Sequence, residues 1–494
     1  MKKAFFVVFI ILMNLCLYAQ QAKPKPQQTN PKKPETTKKT PPKPKSTEPE
    51  ELKEIEPTVI EQTIPTYKPE PDRIYDFTNS DLAVKWHQLM FDLVEQTNGF
   101  TPNVAARAFA YTNLAFYHSI LPASNQYKSL SGQIQGFELP DSLNQKIDKN
   151  KFIAPIAANN AIFYMVDKLF YNAPFIWMEK VYALRDSVNQ IFIQKDSLNK
   201  INYSIKYGEQ IAKQIFMYSF NDGGHQAYLR TYDMRYKLPK CTSCFEINRV
   251  ADLENTGPLH PNWGNNRAFI KNNSDDLGIN PKVEFSIYRG SPFYNQVMEV
   301  YNTSKLVTPG SEKLQIANFW DDAATFSYTA AGHSVSILTQ VLKAKPVPLE
   351  RAAELYCKLG MGLNDAFIAC WKSKYKHNLI RPIAFIKRYI DSKWEAALLT
   401  PPFPEFPSGH SVQSATMATI LTAELGENHG FTDFSKYFVG LPKTFNSFWE
   451  AANEASISRL YGGIHFRDAL EQGKEMGKIV GNNILKLQFR KQSK

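Results

Sequence analysis

The amino-acid sequence predicts an all-α protein, a large helical-bundle domain with long irregular loops. Apolar residues recur at three- and four-residue spacings along most of the chain from about residue 75, as on the buried face of an amphipathic helix. Alternating apolar and polar runs, which indicate strands, are scarce, and the stretch 283–287 is the main one. The 43% hydrophobic and 13% aromatic residues are enough to fill a large core.

The predicted helices follow one another along the chain. The first stretch, 82–120, is interrupted at 99–102, where a glycine ends one helix and a proline begins the next. Residues 151–220 predict two or three amphipathic helices. Further helices are predicted at 292–304, 312–345, 349–373, 411–425, 444–460 and 468–487. The stretch from 221 to about 281 is too long for an ordinary connection, and loops of this size usually carry or cover a functional site.

The N-terminal part of the chain has a different composition. Two lysines precede an apolar run that ends near Ala19, and this pattern predicts a secretory signal peptide over residues 1–19. Residues 20–50 hold eight prolines, eight lysines and three glutamates, so 20–72 is predicted to be a disordered tail. The helical domain is therefore expected at 73–490, in a secreted or periplasmic protein.

The net charge gives no reason to expect a nucleic-acid partner. Of the formal +11, residues 1–50 carry +7, which leaves +4 for the rest of the chain. The basic tail predicts either a weak contact with an anionic cell-envelope surface or a solvated spacer. After the signal peptide no apolar run is long enough to span a membrane. Small molecules are the expected partners.

Four cysteines follow the signal peptide. Cys241 and Cys244 could form a local disulfide in an oxidising compartment, but the sequence leaves their state open. Cys357 and Cys370 fall on one predicted helix, where they are about 20 Å apart at 1.5 Å per residue. Because that separation is too large for a disulfide, both are expected to be buried thiols.

Three short motifs in the C-terminal half combine cations, histidines and a helix start. They are Lys374 with Arg381-Pro382, then Pro407-Ser408-Gly409-His410, then Ser458-Arg459 with His465. Three cations can neutralise the oxygens of a tetrahedral oxyanion, since arginine gives forked hydrogen bonds and lysine a point charge. A serine hydroxyl and a glycine N–H at a helix start add donors. One histidine can bond the central atom while the other moves protons.

This pattern resembles the signature of the superfamily that joins the type 2 phosphatidic acid phosphatases and the vanadium haloperoxidases. All three motifs stand in the family order, with 24 residues between Pro382 and Pro407 and 47 between His410 and Ser458. The motif region covers 371–468. Upstream similarity, at 103–108, 261–264 and 331–333, is greatest to the soluble bacterial haloperoxidase-like members.

The resemblance implies a vanadium-dependent haloperoxidase, which oxidises halide with peroxide. His465 is then the vanadate ligand and His410 the proton carrier. The oxo groups are expected to be held by Lys374, Arg381, Ser408, Gly409 and Arg459. One alternative is a periplasmic acid phosphatase without a cofactor, in which phosphate monoesters phosphorylate His465 and His410 protonates the leaving oxygen. Another is a non-catalytic oxyanion- or envelope-binding protein.

Further side chains are predicted at the site, Trp371 and Phe403 from the same resemblance and His333 and Asp321 from their place in the sequence. The predicted substrate pocket is lined by Trp371, Phe403 and His333. The family pattern usually has three residues between the second histidine and an aspartate, but only two separate His465 from Asp468. Asp468 is the candidate to orient His465, with another acid or a backbone carbonyl as alternatives. Asp321 is a candidate partner for one of the arginines.

Overall fold

The computed structural model describes residues 75–144, 147, 149–247, 257–324, 326–435 and 442–491. The predicted signal peptide and tail lie outside these residues. The described part is mostly helical, with one two-stranded sheet, which confirms the all-α prediction. No helix in it combines the length and the apolar composition needed to cross a membrane.

We number the longer helices in chain order. They are α1 (Asp81–Gln96), α2 (Pro102–Ile120), α3 (Ala154–Leu169), α4 (Phe175–Ile193), α5 (Leu198–Phe220), α6 (Pro292–Ser304), α7 (Glu312–Phe319), α8 (Thr329–Ala344), α9 (Leu349–His377), α10 (Pro382–Tyr389), α11 (Gly409–Leu425), α12 (Phe448–Tyr461) and α13 (Arg467–Leu485). Single α-turns occur at Asp141–Asn144 and Lys271–Ser274, and 3-10 turns at Leu121–Ala123, Lys149–Lys151, Ala227–Leu229 and Trp263–Asn265. The strands are β1 (Phe431–Asp433) and β2 (Lys443–Phe445), which pair antiparallel with Phe431 opposite Phe445.

Helix α9 is the central element of the bundle. Nearly every side chain between Leu349 and Lys374 is buried, because α2 packs on one side of the helix and α11 on another. The helix ends at Asn378, whose φ of 46° is the left-handed conformation that commonly terminates helices. The buried face of α9 continues as far as Lys374 in the last turn, so this side chain lies in the protein interior.

Helices α11 and α13 approach each other closely because glycines face the contact. A Cβ on Gly477 would lie 2.3 Å from the Val412 carbonyl oxygen, and one on Gly473 would lie 2.8 Å from the Ser411 Cβ. Only glycine fits at such distances. This contact fixes the first turn of α11, which holds the Pro-Ser-Gly-His motif.

Two sequence predictions about the fold are wrong. The stretch 312–345 is not one helix, because the chain leaves the helical path after Phe319 and resumes it at Thr329, where φ is 66°. The stretch 283–287 forms no strand; its Phe285 packs instead on the rings of Phe293 and Phe385. Both errors come from reading apolar spacing without the tertiary contacts that decide between conformations.

The structure shows the state of these four cysteines. Cys241 and Cys244 form a disulfide, and Cys357 and Cys370 are buried free thiols, as predicted. The disulfide loop pairs with the segment that follows α9, since the Ile380 N–H donates to the Ser243 carbonyl at 2.8 Å.

Candidate active site

The structure brings the three predicted motifs together. Lys374 is in the last turn of α9, and Arg381 directly precedes α10. Ser408 caps α11, while Arg459 and His465 come from the end of α12 and the turn after it. The five side chains are buried.

His465 is held between an acid and an arginine. Its Nδ1 lies 2.9 Å from Oε1 of Glu405, and its Nε2 lies 3.0 Å from Nη1 of Arg381. Because the carboxylate accepts at Nδ1, this nitrogen carries the proton and Nε2 keeps its lone pair. Burial, followed by the charges of Arg381, Lys374 and Arg459, holds the pKa of His465 well below its usual value. The lone pair on Nε2 accepts from Arg381, and a neutral imidazole of this kind can exchange that contact for a bond to an electrophilic central atom.

Glu405, which the sequence analysis did not single out, takes the orienting role predicted for Asp468. The same Oε1 also accepts the Phe466 N–H at 2.8 Å, and burial raises the pKa of Glu405 to about 7. Asp468 instead accepts the backbone N–H groups of Lys282 and Val283. The Asp468 prediction is corrected accordingly, in favour of its alternative, another acid. The available signal was a lone charge inside the proline-rich apolar run 401–407.

Two buried arginines of the site each keep a donor nitrogen without an acceptor among the described residues. Arg381 donates through Nε to Phe403 O at 2.9 Å and through Nη1 to Ile464 O at 2.7 Å. Its Nη2 finds no acceptor in the part of the chain that the structure describes. Burial lowers the pKa of Arg381 to about 9. A buried donor without a partner costs about 1–3 kcal/mol, more when it is charged, so this position favours an anion.

Arg459 is arranged in a similar way. Its Nη1 donates to Trp320 O at 2.7 Å, and its Nη2 lies 3.7 Å from Oδ1 of Asp321, the predicted partner. Its buried Nε has no hydrogen-bond partner among the described residues. Burial lowers the pKa of Arg459 as well. The two arginines thus leave one unpaired N–H donor group each.

Lys374 supports a loop as well as contributing charge. Its ammonium donates to the carbonyls of Pro404 (2.9 Å), Glu405 (3.2 Å) and Pro407 (2.5 Å), which uses all three of its N–H groups. Burial lowers its pKa to about 7. The predicted direct contact of Lys374 with an oxyanion therefore requires it to give up one carbonyl, and its contacts show that it fixes the loop preceding α11.

The start of α11 offers further donors. The Ser408 hydroxyl accepts the Ser411 N–H, so its own hydrogen remains to donate. The first N–H groups of the helix have no intrahelical acceptor. A Cβ on Gly409 would meet only Cζ3 of Trp371, at 3.8 Å. The surrounding protein therefore leaves space for a side chain at this position. A ligand that approaches the backbone closely would explain why the residue is a glycine.

His410 and the aromatic residues complete the site. Its Nε2 lies 3.4 Å from Oδ2 of Asp322, without hydrogen-bond geometry, and its side chain keeps 17% exposure. Burial and Arg459 lower the pKa of His410 to about 4, against the pull of Asp322, so the ring is neutral at pH 7. The rings of Trp371 and Phe403 are 5.0 Å apart, and that of Phe403 lies 4.9 Å from the Lys374 Nζ.

Comparison with solved structures identifies the family. The crystal structure described as that of the first bacterial vanadium-dependent iodoperoxidase is 30% identical and has a TM-score of 0.73, over 86% of this chain and 99% of that one. The chain belongs to the vanadium haloperoxidase family. A family profile described as the VCPO second helical-bundle domain matches residues 354–492, which include all three motifs.

More distant members of the vanadium haloperoxidase family share the fold. The holo form of a bacterial vanadium-dependent chloroperoxidase is 15% identical, with a TM-score of 0.59, over 83% of this chain and 98% of that one. The apo form of a bacterial vanadium-dependent chloroperoxidase is 15% identical, with a TM-score of 0.54, over 78% of this chain and 93% of that one. No curated protein sequence matches the chain.

One predicted pocket residue is placed differently in this vanadium haloperoxidase family member. His333 is fully buried between Asp322 and Asp433, so it does not line the pocket. Asp322 and Asp433 were not predicted, because one lies in the unexpected break between α7 and α8 and the other in a strand far along the chain. His377, at the end of α9, is half-buried against the ring of Phe406.

Proposed function

We propose that this protein is a vanadium-dependent haloperoxidase that uses peroxide to oxidise halide. The observation that carries the proposal is a pair of buried donors in the cluster around His465, Arg381 Nη2 and Arg459 Nε, which have no acceptor among the residues that the structure describes. Such a site suits a compact, multiply charged tetrahedral oxyanion. Vanadate fits this description, and the similarity to the iodoperoxidase supports it as the cofactor.

The residues divide into holding and orienting groups. Arg381 and Arg459 donate to the oxyanion oxygens, helped by the Ser408 hydroxyl and the N–H groups at the start of α11. His465 would supply Nε2 to the central atom of the bound oxyanion, while Glu405 keeps the proton on Nδ1. When bound, vanadate supplies a Lewis-acidic centre that activates peroxide.

His410 is the proton carrier. The net reaction turns one halide ion, one hydrogen peroxide molecule and one proton into one hypohalous acid and one water, with two electrons passing from halide to peroxide. A neutral imidazole can take a proton from the incoming peroxide and return it to a leaving oxygen. Trp371 and Phe403 exclude water beside the oxyanion, which strengthens the electrostatic interactions there.

A phosphatase is the second candidate, because a phosphate ester has the same tetrahedral charge distribution. The lone pair on His465 Nε2 could then attack phosphorus. The direct test is to assay the purified protein, with and without vanadate, for peroxide-dependent oxidation of iodide, bromide and chloride, beside hydrolysis of p-nitrophenyl phosphate. We expect halide oxidation that requires vanadate. If the protein only hydrolyses the ester, it is a phosphatase and the proposal is wrong. If it binds vanadate but catalyses neither reaction, it is the non-catalytic binding protein.

We further propose that the protein is exported and that its basic tail makes a weak contact with the cell envelope. The Cys241–Cys244 disulfide supports this, because disulfides persist in oxidising compartments. N-terminal sequencing of the mature protein should find Gln20 as its first residue. A mature protein that begins at Met1 would contradict export through this signal.

A further inference from the structure

A chain of buried titratable groups extends from His410 away from the oxyanion site. His410 faces Asp322, whose two oxygens lie 3.0 and 3.1 Å from Nδ1 of His333. The other nitrogen of His333, Nε2, lies 2.7 Å from Oδ2 of Asp433. His333 and Asp433 are fully buried and Asp322 nearly so. The order is therefore His410, Asp322, His333 and Asp433.

The geometry fixes the protonation of His333. Each ring nitrogen faces a carboxylate, and a carboxylate can only accept, so both nitrogens donate and the ring is an imidazolium. Burial alone would lower the pKa of His333, but Asp322 and Asp433 outweigh it and raise the pKa to about 10. A positive charge thus lies directly behind the carboxylate that faces His410.

The surroundings hold this arrangement in place. Asp433 also accepts from the Gln340 amide (3.1 Å) and the Ser435 N–H (2.8 Å), and the ring of Trp320 stacks on His333 at 4.6 Å. Ser334, the residue after His333, donates to Gln413, three residues after His410. The helices α8 and α11 are therefore locked together at the level of the two histidines.

We propose that His333 and Asp433 are positioning residues for His410: they hold the Asp322 carboxylate beside it and balance the negative charge of that carboxylate. The charged groups that face His410 are Arg459 from α12 and Asp321 and Asp322 from the break between α7 and α8, with His465 nearby. Without the imidazolium, the uncompensated charge of Asp322 would raise the pKa of His410, and the carboxylate would lose the contact with His333 that holds it beside the ring. This inference deepens the proposed function and rests on it.

The test combines the variant His333→Gln with a titration that needs no activity. The ring resonances of His410 are followed by NMR against pH in vanadate-free protein and assigned by their absence in His410→Asn. We expect His333→Gln to raise the titration midpoint of His410 by about half a pH unit or more, because the charge of Asp322 is then uncompensated. Asp433→Asn should instead lower the midpoint, because it removes a negative charge while His333 stays paired with Asp322, and it serves as the second variant if His333→Gln does not fold.

The kinetic readout separates positioning from structural support. With vanadate bound, kcat should fall about tenfold, while the KM for peroxide and the vanadate affinity stay within about twofold. The matched control is Asp365→Asn, which alters a fully buried carboxylate that accepts from Phe269 N and Ile270 N, outside the site. It should change neither the His410 midpoint nor kcat.

An unchanged His410 midpoint in both variants overturns the inference and shows that His333 only stabilises the fold. So does a midpoint that moves equally in Asp365→Asn. If the unmodified protein oxidises no halide, the proposed function fails, while the titration still decides whether His333 and Asp433 control His410.

Discussion

At the scale of single residues, Glu405 decides how the site is arranged. Its carboxylate orients His465, its backbone carbonyl accepts from Lys374, and its N–H donates to Leu379 O. One residue thereby connects the histidine, the lysine and the segment before Arg381. Outer carboxylates of this kind typically change metal affinity 10- to 100-fold when they are altered.

The change Glu405→Gln tests this role. The amide keeps the shape of the side chain but removes its charge, so the imidazole becomes less basic. We expect the dissociation constant for vanadate to rise about tenfold, at the lower end of the usual range. The matched control is Asp468→Asn, which alters a carboxylate three residues from His465 that accepts the backbone N–H groups of Lys282 and Val283.

Equilibrium titration with vanadate, with circular dichroism as a check on folding, provides the measurement. Equal affinities for Glu405→Gln and the unmodified protein would contradict the role given to Glu405. A loss of vanadate affinity in Asp468→Asn alone would instead support the prediction that Asp468 orients His465.

The residues of the site differ in how well they could be predicted. Lys374, Arg381 and His410 were found because each stands in a short motif whose residue types and spacing are specific. Glu405, Asp322 and Asp433 were not, because each acts through a contact with a distant part of the chain. A carboxylate on its own gives no signal of which histidine it will meet after folding.

At the scale of elements, the contact between α11 and α13 determines where the helix start points. Helix patterning predicted both elements nearly to the residue. Helix α13 buries one apolar face, whereas α11 is buried on all sides from Ser411 to Ala418. The patterning did not predict the break between α7 and α8, because apolar and aromatic side chains continue through Phe319 and Trp320 into the break. That break carries Asp321 and Asp322 to the arginine and histidine of the site.

The change Gly477→Ala tests the helix contact. The added Cβ would lie 2.3 Å from Val412 O, so α13 must move away from α11. We expect a loss of about 1–3 kcal/mol in the free energy of unfolding, typical of overpacking. The control is Gly430→Ala, whose Cβ would meet its nearest neighbour, Phe445 O, at 3.5 Å.

Urea unfolding of both variants provides the comparison. The outcome that would count against the proposed packing is equal stability of Gly477→Ala and Gly430→Ala. Weaker vanadate binding by Gly477→Ala alone would show that the helix contact also sets the geometry of the site.

At the scale of the whole molecule, distant segments are tied to the site. Part of the long irregular stretch reaches α9, since Trp371 Nε1 and the Tyr375 hydroxyl both donate to Leu259 O, at 3.2 and 2.6 Å. The Leu259 N–H donates in turn to Pro402 O. The length of the stretch predicted that it carries or covers a functional site. Its contacts could not be predicted, because they depend on the folded positions of three separate segments.

The core also holds histidines that make stability depend on pH. His118 is buried in α2, and neither ring nitrogen has a hydrogen-bond partner among the residues described. Burial lowers its pKa to about 3. Because the folded pKa lies below the unfolded value of about 6.5, the stability is fully present above pH 6.5 and is lost as the pH falls below it.

The change His118→Leu should remove the part of the pH dependence of stability that His118 contributes. The unmodified protein should lose about 2 kcal/mol more than the variant between pH 7.5 and pH 5, since the unfolded chain then gains a proton that the folded chain excludes. Burial raises the pKa of Asp365 to about 6, so this carboxyl favours the folded state as the pH falls, which is opposite to the effect of His118. Both proteins contain Asp365, so its effect cancels in the comparison. Urea midpoints at the two pH values measure the difference, with His429→Leu, at a partly exposed site, as the control. Parallel losses in all three proteins would contradict the assignment.

The central claim is that one oxyanion, held by the arginines and bonded by His465, makes the protein a haloperoxidase. The most direct test titrates vanadate-free protein with orthovanadate while following peroxide-dependent iodide oxidation, beside the variant His465→Ala. We predict that activity rises from zero and saturates at about one vanadate per chain, with none in the variant. Oxidation that is independent of vanadate, or that survives in His465→Ala, would contradict the claim.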